Sequence, residues 1–292
     1  MRIECVLPAQ AILGEGPLWD DRRQCIWWID IKAPSLHAYW PGTQCTRAFP
    51  LPSTVGSVGL RENGGLIAAL RTGFAFIDPE TGEVSSICNP ESAAHYPHNR
   101  FNDGRVDPAG RFWAGTMDDL EKEGSGQLYR LDPDGEATHF PAGFIVTNGI
   151  DWALDGRTQY FVDTAANTIH AYDFDMATGT PGEKRVFARV QKEHGHPDGL
   201  TVDGENHVWS AHWNGWRLTR YRPDGSIDRV VQMPVPLVTK CCFGGPDLDI
   251  MFVTTASISL DSETKAKAPL SGGLFAIHGL GIKGKPESRF QG

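Results

Sequence analysis

A short apolar segment recurs six times along the chain, and five of the six copies carry an aromatic residue at their centre. The centres are Trp28, Ala68, Trp113, Phe161, Trp209 and Phe252, so the intervals are 40, 45, 48, 48 and 43 residues. Each segment is followed by a second strand-like run with an aromatic residue near its end, as at residues 36–39 and 218–221. Helical periodicity is nearly absent, and Asp-Pro and Asp-Gly turns separate many of the runs.

Repeats of roughly 40 to 50 residues with about four strands each are typical of β-propeller blades. The 33 glycines and 20 prolines suit an all-β chain with many tight turns. The sequence therefore predicts an all-β fold, in which residues 1–292 form one six-bladed β-propeller domain.

The composition excludes several classes of partner. The net charge is −9, from 36 acidic and 27 basic residues, and the basic residues are scattered, which disfavours nucleic acid. No window approaches the ~20 apolar residues of a membrane span, and the first residues lack a leader pattern, so a cytoplasmic protein without membrane association is expected. The six cysteines show no metal-binding spacing, and reduced thiols are expected. Nothing in the sequence indicates the oligomeric state.

Four pairs, each an acidic or amide residue followed by glycine, precede the aromatic segments at a similar distance. They are Glu15-Gly16, Asp103-Gly104, Asn148-Gly149 and Asp198-Gly199. In a closed ring, residues at one phase of the repeat point at one place, and we expect these pairs just before the innermost strands, at the mouth of the central channel. The other Asp-Gly pairs, at Asp134, Asp155, Asp203 and Asp224, are interpreted as ordinary turns.

Glu15, Asn148 and Asp198 together offer two carboxylates and one amide carbonyl. An all-oxygen set of this kind suits a hard divalent cation, and two negative charges leave the ion with one net positive charge. Such a centre polarises a carbonyl group and lowers the pKa of bound water, so hydrolysis is its natural use. Asp198 is a candidate general base as well as a ligand, and the sequence leaves open whether it is one or both.

Arg100 and Asn102 lie just ahead of the Asp103-Gly104 pair. A guanidinium group and an amide can together hold the hydroxyl and ring oxygens of a sugar-like ligand. The alternative is a surface Arg paired with an Asp, beside a turn formed by Asn-Asp-Gly.

Three further groups of residues are expected near the channel entrance without a metal-binding role. The histidines are expected to shape the entrance, the adjacent cysteines at the corresponding phase of the sixth repeat to be small buried lining, and two of the nine tryptophans to lie outside the core. These residues are His95, His98, His194 and His196, then Cys241 and Cys242, then Trp213 and Trp216.

Six motifs in order along the chain carry a resemblance to a known family. They occupy residues 13–19, 100–104, 112–117, 147–152, 197–200 and 243–248. The chain resembles the senescence-marker protein, regucalcin and gluconolactonase group of sugar lactonases. The resemblance implies a six-bladed propeller with one divalent ion held by Glu15, Asn148 and Asp198, with Asp198 as general base. It also implies substrate contacts from Arg100 and Asn102, and assigns Asp119 to the acidic contact that follows the Gly-Thr-Met motif.

The resemblance implies metal-dependent hydrolysis of an aldonolactone to its aldonic acid in carbohydrate catabolism, with a small-molecule sugar lactone as partner. The ion, whether Ca²⁺, Mn²⁺, Zn²⁺ or Fe²⁺, and the size of the lactone stay open. Three alternatives remain: a metal-dependent ester or organophosphate hydrolase, a non-catalytic calcium-binding protein, and an interaction scaffold. The last leaves the phased Glu15, Asn148 and Asp198 without a role.

Overall fold

A computed structural model describes residues 1–91 and 95–292. Six small sheets are arranged in a ring and form a six-bladed β-propeller, which confirms the predicted all-β fold. Each sheet has four antiparallel strands, and one sheet gains a fifth strand that pairs in parallel. In chain order the strands are β1 (Arg2–Leu7), β2 (Gly14–Asp20), β3 (Cys25–Asp30), β4 (Ser35–Trp40), β5 (Cys45–Pro50), β6 (Val55–Arg61), β7 (Leu66–Leu70), β8 (Gly73–Ile77), β9 (Val84–Cys88), β10 (Asn99–Val106), β11 (Phe112–Asp118), β12 (Gly126–Leu131), β13 (Ala137–Phe144), β14 (Thr147–Trp152), β15 (Thr158–Asp163), β16 (Thr168–Asp175), β17 (Thr180–Arg189), β18 (His196–Val202), β19 (Val208–Trp213), β20 (Arg217–Tyr221), β21 (Ile227–Gln232), β22 (Val238–Gly244), β23 (Ile250–Thr255), β24 (Leu274–His278) and β25 (Arg289–Phe290).

Blades 1 to 5 each use four consecutive strands, from β2–β5 to β18–β21. Blade 6 consists of β22, β23 and β24, and its outer strand is β1 from the other end of the chain, which pairs antiparallel with β24. The ring is therefore closed by backbone hydrogen bonds between the two ends of the chain.

Burial follows the position of each strand in its blade. The innermost strands β2, β10, β14 and β22 are buried along their whole length, whereas the outermost strand β5 is almost entirely exposed. All six predicted aromatic-segment centres lie on the second strand of a blade, as the spacing of the repeat required. The innermost strands accordingly supply the residues that face the channel.

The Asp-Gly pairs interpreted as turns do form turns. Asp134, Asp155 and Asp224 each accept a backbone N–H two residues further on. Asp203 does the same with Oδ1 and also accepts the indole N–H of Trp209 and the guanidinium Nε–H of Arg220 with Oδ2. These carboxylates stabilise the blades and stay outside the channel site.

The C-terminal residues 283–292 cross the end of the ring where the innermost strands finish. Gly284 bridges to Asp203 in blade 5, Glu287 forms an ion pair with Arg105 in blade 3, and β25 pairs parallel with β6 in blade 2. The segment thus connects several blades at the end opposite to the predicted site.

Two short helical segments complete the described chain, a 3₁₀ turn at Lys192–His194 and helix α1 at Ser262–Lys267. No helix within the described ranges has the length and apolar character needed to cross a membrane.

Candidate metal and substrate site

A cavity of about 340 Å³ opens where the innermost strands begin, around the axis of the ring. Its polar lining includes Glu15, Asn148 and Asp198 together with Arg100 and Asn102. These five predicted site residues come from four different blades, so the fold brings together groups that are up to 183 positions apart in the chain. The apolar part of the wall includes Leu13, Ile31, Met117, Ile145 and Val146.

The predicted residues lie inside the innermost strands, whereas the sequence analysis expected them just before these strands. Each strand contains a shift of register at this point, between Glu15 and Leu18 in β2 and between Asn148 and Ile150 in β14. A β-bulge redirects one side chain from the sheet without ending the strand, and bulges are frequent next to functional sites. Glu15 and Asn148 can therefore belong to a strand and still direct their side chains into the channel.

The glycine that follows helps to orient the side chains of Glu15 and Asn148. Gly16 donates its backbone N–H to Glu15 Oε2 at 2.7 Å, and Gly149 donates to Asn148 Oδ1 at 3.2 Å. Gly16 has φ +56°, a conformation that other residues rarely adopt. A side chain at Gly149 would meet the backbone of the next blade, since its Cβ would lie 2.6 Å from Leu200 N.

Strand pairing identifies which residues are equivalent from blade to blade. Asn148 lies four residues before Trp152, which pairs with Gln159 at the turn end of its strand, and the same count places Asp198 before Val202. In the other four blades the corresponding pairs are Trp19 with Ile26, Leu60 with Leu66, Val106 with Phe112 and Gly244 with Ile250. Four residues before the first member of each pair lie, in the same order, Glu15, Gly56, Asn102 and Lys240. In blade 3 the equivalent residue is therefore Asn102, and Asp103 lies one residue further on.

Glu15 and Asp198 are buried carboxylates, each about 5% exposed. Burial, and then repulsion by Asp103, raises the pKa of Glu15 to about 8, and Lys240 partly offsets this. Burial, and then repulsion by Glu15 and Asp103, raises the pKa of Asp198 well above its ordinary value. Buried carboxylates that repel each other favour a bound cation, because the cation offsets the repulsion that contributes to both raised pKa values.

A divalent cation suits this donor set. Among the described residues, no Lys, Arg or His lies within ion-pair distance of either Glu15 or Asp198, so both carboxylates lack a permanent counterion. Within those same residues no three His, Cys, Asp or Glu side chains are close enough together to hold a metal ion. A site with Glu15 and Asp198 therefore needs a donor of another type, and in the predicted set this donor is the amide of Asn148. Two carboxylates and an amide carbonyl are oxygen donors of the kind that hard cations prefer.

Arg100 lies beside these oxygen donors at the centre of a hydrogen-bonded network. Its Nε donates to Asp119 Oδ1 at 2.5 Å and its Nη1 to Asn102 Oδ1 at 2.7 Å. Asn102 Nδ2 in turn donates to the carbonyl of Thr147 at 2.7 Å, and Lys32 Nζ donates to Asp119 at 2.8 Å. Asp119 thus orients Arg100, while the nearby Glu121 lines the cavity.

The other residues expected at the entrance behave in different ways. His196 and Trp213 line the cavity, whereas Trp216 packs against the core between blades 5 and 6. The side chain of His194 does not line the cavity, and the backbone carbonyl of His194 accepts the Nδ1–H of His212 at 2.8 Å. His95 and His98 are exposed.

Cys241 and Cys242 are fully buried, as expected of small buried residues, but neither lines the cavity. They pack into separate apolar clusters on the two faces of blade 6. The channel position of this blade belongs instead to Lys240, which the sequence analysis missed. Counting four residues back from Gly244 would have identified it, because that is the interval shared by Asn148 and Asp198.

The fold and the axial site together define a six-bladed propeller with a buried, acidic, oxygen-rich pocket on its axis. Residues 13–257 match the sequence model of the family described as SMP-30/gluconolactonase/LRE-like region. The chain belongs to this family, as the motifs in the sequence predicted.

Individual relatives show the same likeness over nearly the whole chain. Regucalcin of Xenopus laevis is 35% identical over 298 residues, which cover 100% of this chain and 99% of the relative. The crystal structure of a calcium-binding protein, regucalcin, from Agrobacterium tumefaciens is 30% identical with a TM-score of 0.93, covering 98% of this chain and 96% of that one. A luciferin-regenerating enzyme of known structure is 26% identical in sequence to this chain and superposes with a TM-score of 0.92, with 99% of each chain covered.

Proposed function

We propose that the protein is a metal-dependent hydrolase that opens a sugar lactone to the corresponding aldonic acid. The observation that carries the proposal is the meeting of two sets of groups in one cavity of about 340 Å³: the oxygen donors Glu15, Asn148 and Asp198, and the polar pair Arg100 and Asn102. A cavity of this size accommodates one small ligand. The family to which the chain belongs includes gluconolactonase in its description, which supports the same reaction class.

Glu15, Asn148 and Asp198 would hold one divalent ion. When bound, the ion supplies a positive centre that stabilises the negative charge developing on the lactone carbonyl oxygen and lowers the pKa of a water molecule.

Arg100 and Asn102 would orient the hydroxyl groups of the sugar. Arg100 is held in place through Nε and Nη1, and its Nη2 has no partner among the described residues, so that nitrogen is the donor free for substrate. Asn102 uses one N–H of its amide for the Thr147 carbonyl and keeps the other. Fixed donors of this kind place the carbonyl carbon at a constant distance from the attacking oxygen.

Asp198 would accept a proton from the attacking water as the new C–O bond forms. The acyl C–O bond of the ring then breaks, and the ring oxygen leaves as a hydroxyl group after taking up one proton. Each turnover consumes one water and yields one carboxylic acid, which ionises and releases a proton to solvent. A carboxylate next to the attacking water is well placed as a general base.

The test is acid release, followed with a pH indicator, from a panel of pentono- and hexonolactones, an aryl ester and a phosphate triester. Metal-stripped protein is compared with protein restored with Ca²⁺, Mn²⁺, Zn²⁺ or Fe²⁺. The proposal predicts metal-dependent hydrolysis of at least one lactone with a kcat/KM above those of the ester and the triester. Turnover of the ester or triester alone would support the alternative hydrolase.

A non-catalytic calcium-binding role is the competing hypothesis, because several relatives at 35–36% identity are named regucalcin. Three side-chain donors predict weaker calcium binding than a dedicated calcium loop provides. Saturable calcium binding without hydrolysis of any compound in the panel would support this role against catalysis.

A further inference from the structure

Lys240 forms an ion pair across the channel. It lies on β22 in blade 6, and its Nζ donates to Asp103 Oδ1 on β10 in blade 3, the blade opposite in a ring of six. The side chains of Lys240 and Asp103 are only 4% and 2% exposed. A lysine is rarely buried to this degree unless its charge is paired, so the contact is a built feature of the channel.

The stem of Lys240 runs along the backbone that carries Asp198. A Cβ added to Gly199 would lie 2.4 Å from Lys240 Cγ and 2.5 Å from its Cβ. Gly199 thus leaves the space that the lysine occupies, and the lysine is held next to one of the predicted metal ligands. Lys240 also occupies the position in its blade that Glu15, Asn148 and Asp198 occupy in theirs.

The buried charges around the axis can be counted. Three carboxylates, those of Glu15, Asp103 and Asp198, make the electrostatic potential in this part of the channel negative. Glu15 and Asp103 both repel the negative charge of Asp198 and so raise its pKa. Lys240 lies close enough to weaken that effect on both Glu15 and Asp198. With Lys240 paired to Asp103, two uncompensated negative charges remain, which equals the charge of one divalent ion.

Asp103 also retains one unused oxygen. Its Oδ1 accepts the N–H of Gly104 at 2.7 Å as well as the Lys240 ammonium group, whereas its buried Oδ2 has no hydrogen-bond partner among the described residues. Without Lys240, Asp103 would be a free buried carboxylate within electrostatic range of the predicted ligands.

We propose that Lys240 is an internal counterion that neutralises Asp103 and thereby sets the net charge, and so the affinity, of the metal site. This inference rests on the proposed function, because it assumes that Glu15, Asn148 and Asp198 bind a divalent ion. Lys240 is a positioning residue, since it acts through Asp103 and the field in the channel.

The proposal predicts opposite effects for the two members of the pair. Lys240→Met leaves Asp103 with an uncompensated negative charge and should lower the Kd for a divalent ion about tenfold or more. Asp103→Asn leaves Lys240 with an uncompensated positive charge and should raise the Kd by a similar factor. The double variant restores the original net charge, and its Kd should lie within about threefold of the unaltered protein.

The experiment is calorimetric titration of Ca²⁺ and, separately, Mn²⁺ into the metal-stripped full-length protein and the three variants. The pH is kept alkaline, above the raised pKa of Glu15, so that protons compete less with the metal ion, and circular dichroism verifies folding. Lys285→Met is the matched control, because Lys285 is also a largely buried lysine paired with an aspartate, Asp151, at the other end of the inner strands. Its Kd should stay within about threefold of the unaltered value.

Each outcome is decisive. Shifts of the same direction in the two single variants, or an unchanged Kd in Lys240→Met, would overturn the inference while leaving the proposed function intact, provided that the unaltered protein binds the ion and hydrolyses a lactone. If Lys240→Met does not fold, a Kd that rises in Asp103→Asn and recovers in the double variant supports the inference, and a Kd that does neither overturns it. Failure of the unaltered protein to bind any divalent ion would contradict the proposed function itself.

Discussion

Asp119 and Arg100 are joined by a hydrogen-bonded ion pair, in which Arg100 Nε donates to Asp119 Oδ1 at 2.5 Å. Lys32 reaches the same oxygen at 2.8 Å and, with Arg100, holds the pKa of Asp119 below its ordinary value even though burial acts in the opposite direction. The arginine that lines the cavity is therefore fixed by residues behind it, which leaves its outer nitrogen available for a ligand.

Arg100→Met should impair catalysis without removing the metal. The substitution deletes the charged donor but keeps an apolar stem, so we expect kcat/KM to fall about 10- to 100-fold while the Kd for the metal changes less than about threefold. Steady-state kinetics and metal content measured on the same preparation check this. Loss of the metal together with activity would instead assign Arg100 a structural role.

Asp198→Asn should separate function from stability. Replacing a predicted ligand and proton acceptor is expected to lower kcat/KM by about 100-fold or more and to weaken metal binding. The same change removes a buried carboxylate that lacks a counterion, so the metal-free protein should unfold at an equal or higher temperature than the unaltered one. Thermal unfolding in chelator and metal titration measure the two effects.

The control for this substitution is Asp247→Asn, which alters an exposed carboxylate paired weakly with Lys283. It should change neither activity nor melting temperature. An Asp198→Asn protein with full activity and metal content would show that the channel-site assignment is wrong.

Glu287→Gln should destabilise the ring without affecting the cavity. Glu287 and Arg105 are both less than a tenth exposed, and the bond between them is 2.6 Å long. Removing one partner of a buried pair typically costs about 3–5 kcal/mol, and the remaining contact of Arg105 with Asp151 should reduce that cost. Denaturant unfolding measures the loss, and KM should change less than about twofold because residues 283–292 lie at the other end of the inner strands.

Glu263→Gln is the matched comparison, since Glu263 forms an exposed pair with Lys267 on α1. Exposed pairs of this kind contribute under about 1 kcal/mol. Equal losses for Glu263→Gln and Glu287→Gln would contradict the assignment of the C-terminal segment as a stabilising connection between blades.

His212 should make the protein less stable in acid. Burial lowers its pKa from the ordinary 6.5 to about 4, its Nδ1–H is donated to the His194 carbonyl, and its buried Nε2 has no partner among the described residues. Because the unfolded chain takes up a proton near pH 6.5 and the folded chain only near pH 4, stability is intact above 6.5 and falls as the pH drops between these values. A shift of this size corresponds to at most about 3 kcal/mol.

Unfolding free energies measured across this pH range in the unaltered protein and in His212→Gln test the assignment. The variant should lose much of the pH dependence, whereas His207→Gln, at a half-buried position, should retain it. An unchanged slope in His212→Gln would show that other groups cause the acid destabilisation.

Much of the fold could be predicted from the sequence because the same pattern of strands recurs in every blade. The centres at Trp113, Phe161 and Trp209 all lie on second strands, since a propeller places equivalent residues at equivalent depths. The register shifts were not predictable in the same way. They arise where inner strands of neighbouring blades approach closely, as at Gly149 against Leu200, and such contacts between blades leave no local pattern.

The site residues could be predicted where an oxygen-bearing side chain precedes glycine at the shared position of the repeat, and less easily elsewhere. Glu15, Asn148 and Asp198 share a phase and are each followed by glycine, whereas Lys240 has the phase without the glycine and with the opposite charge. Asp103 has the glycine but lies one residue beyond the phase, and only strand pairing reveals that Asn102 is the equivalent residue. The proximity of Asp119 and Arg100 depends on the path of a loop, which repeat spacing does not determine.

The most direct test of the proposed function is a titration of divalent metal into stripped protein, with lactone hydrolysis measured at each addition. The account predicts that the rate above the spontaneous reaction is abolished by stripping, rises with added ion and reaches a plateau along a saturation curve for one ion per chain. A stripped protein that hydrolyses the lactone as fast as the restored one, or a rate that no ion raises above the spontaneous value for any lactone, would contradict it.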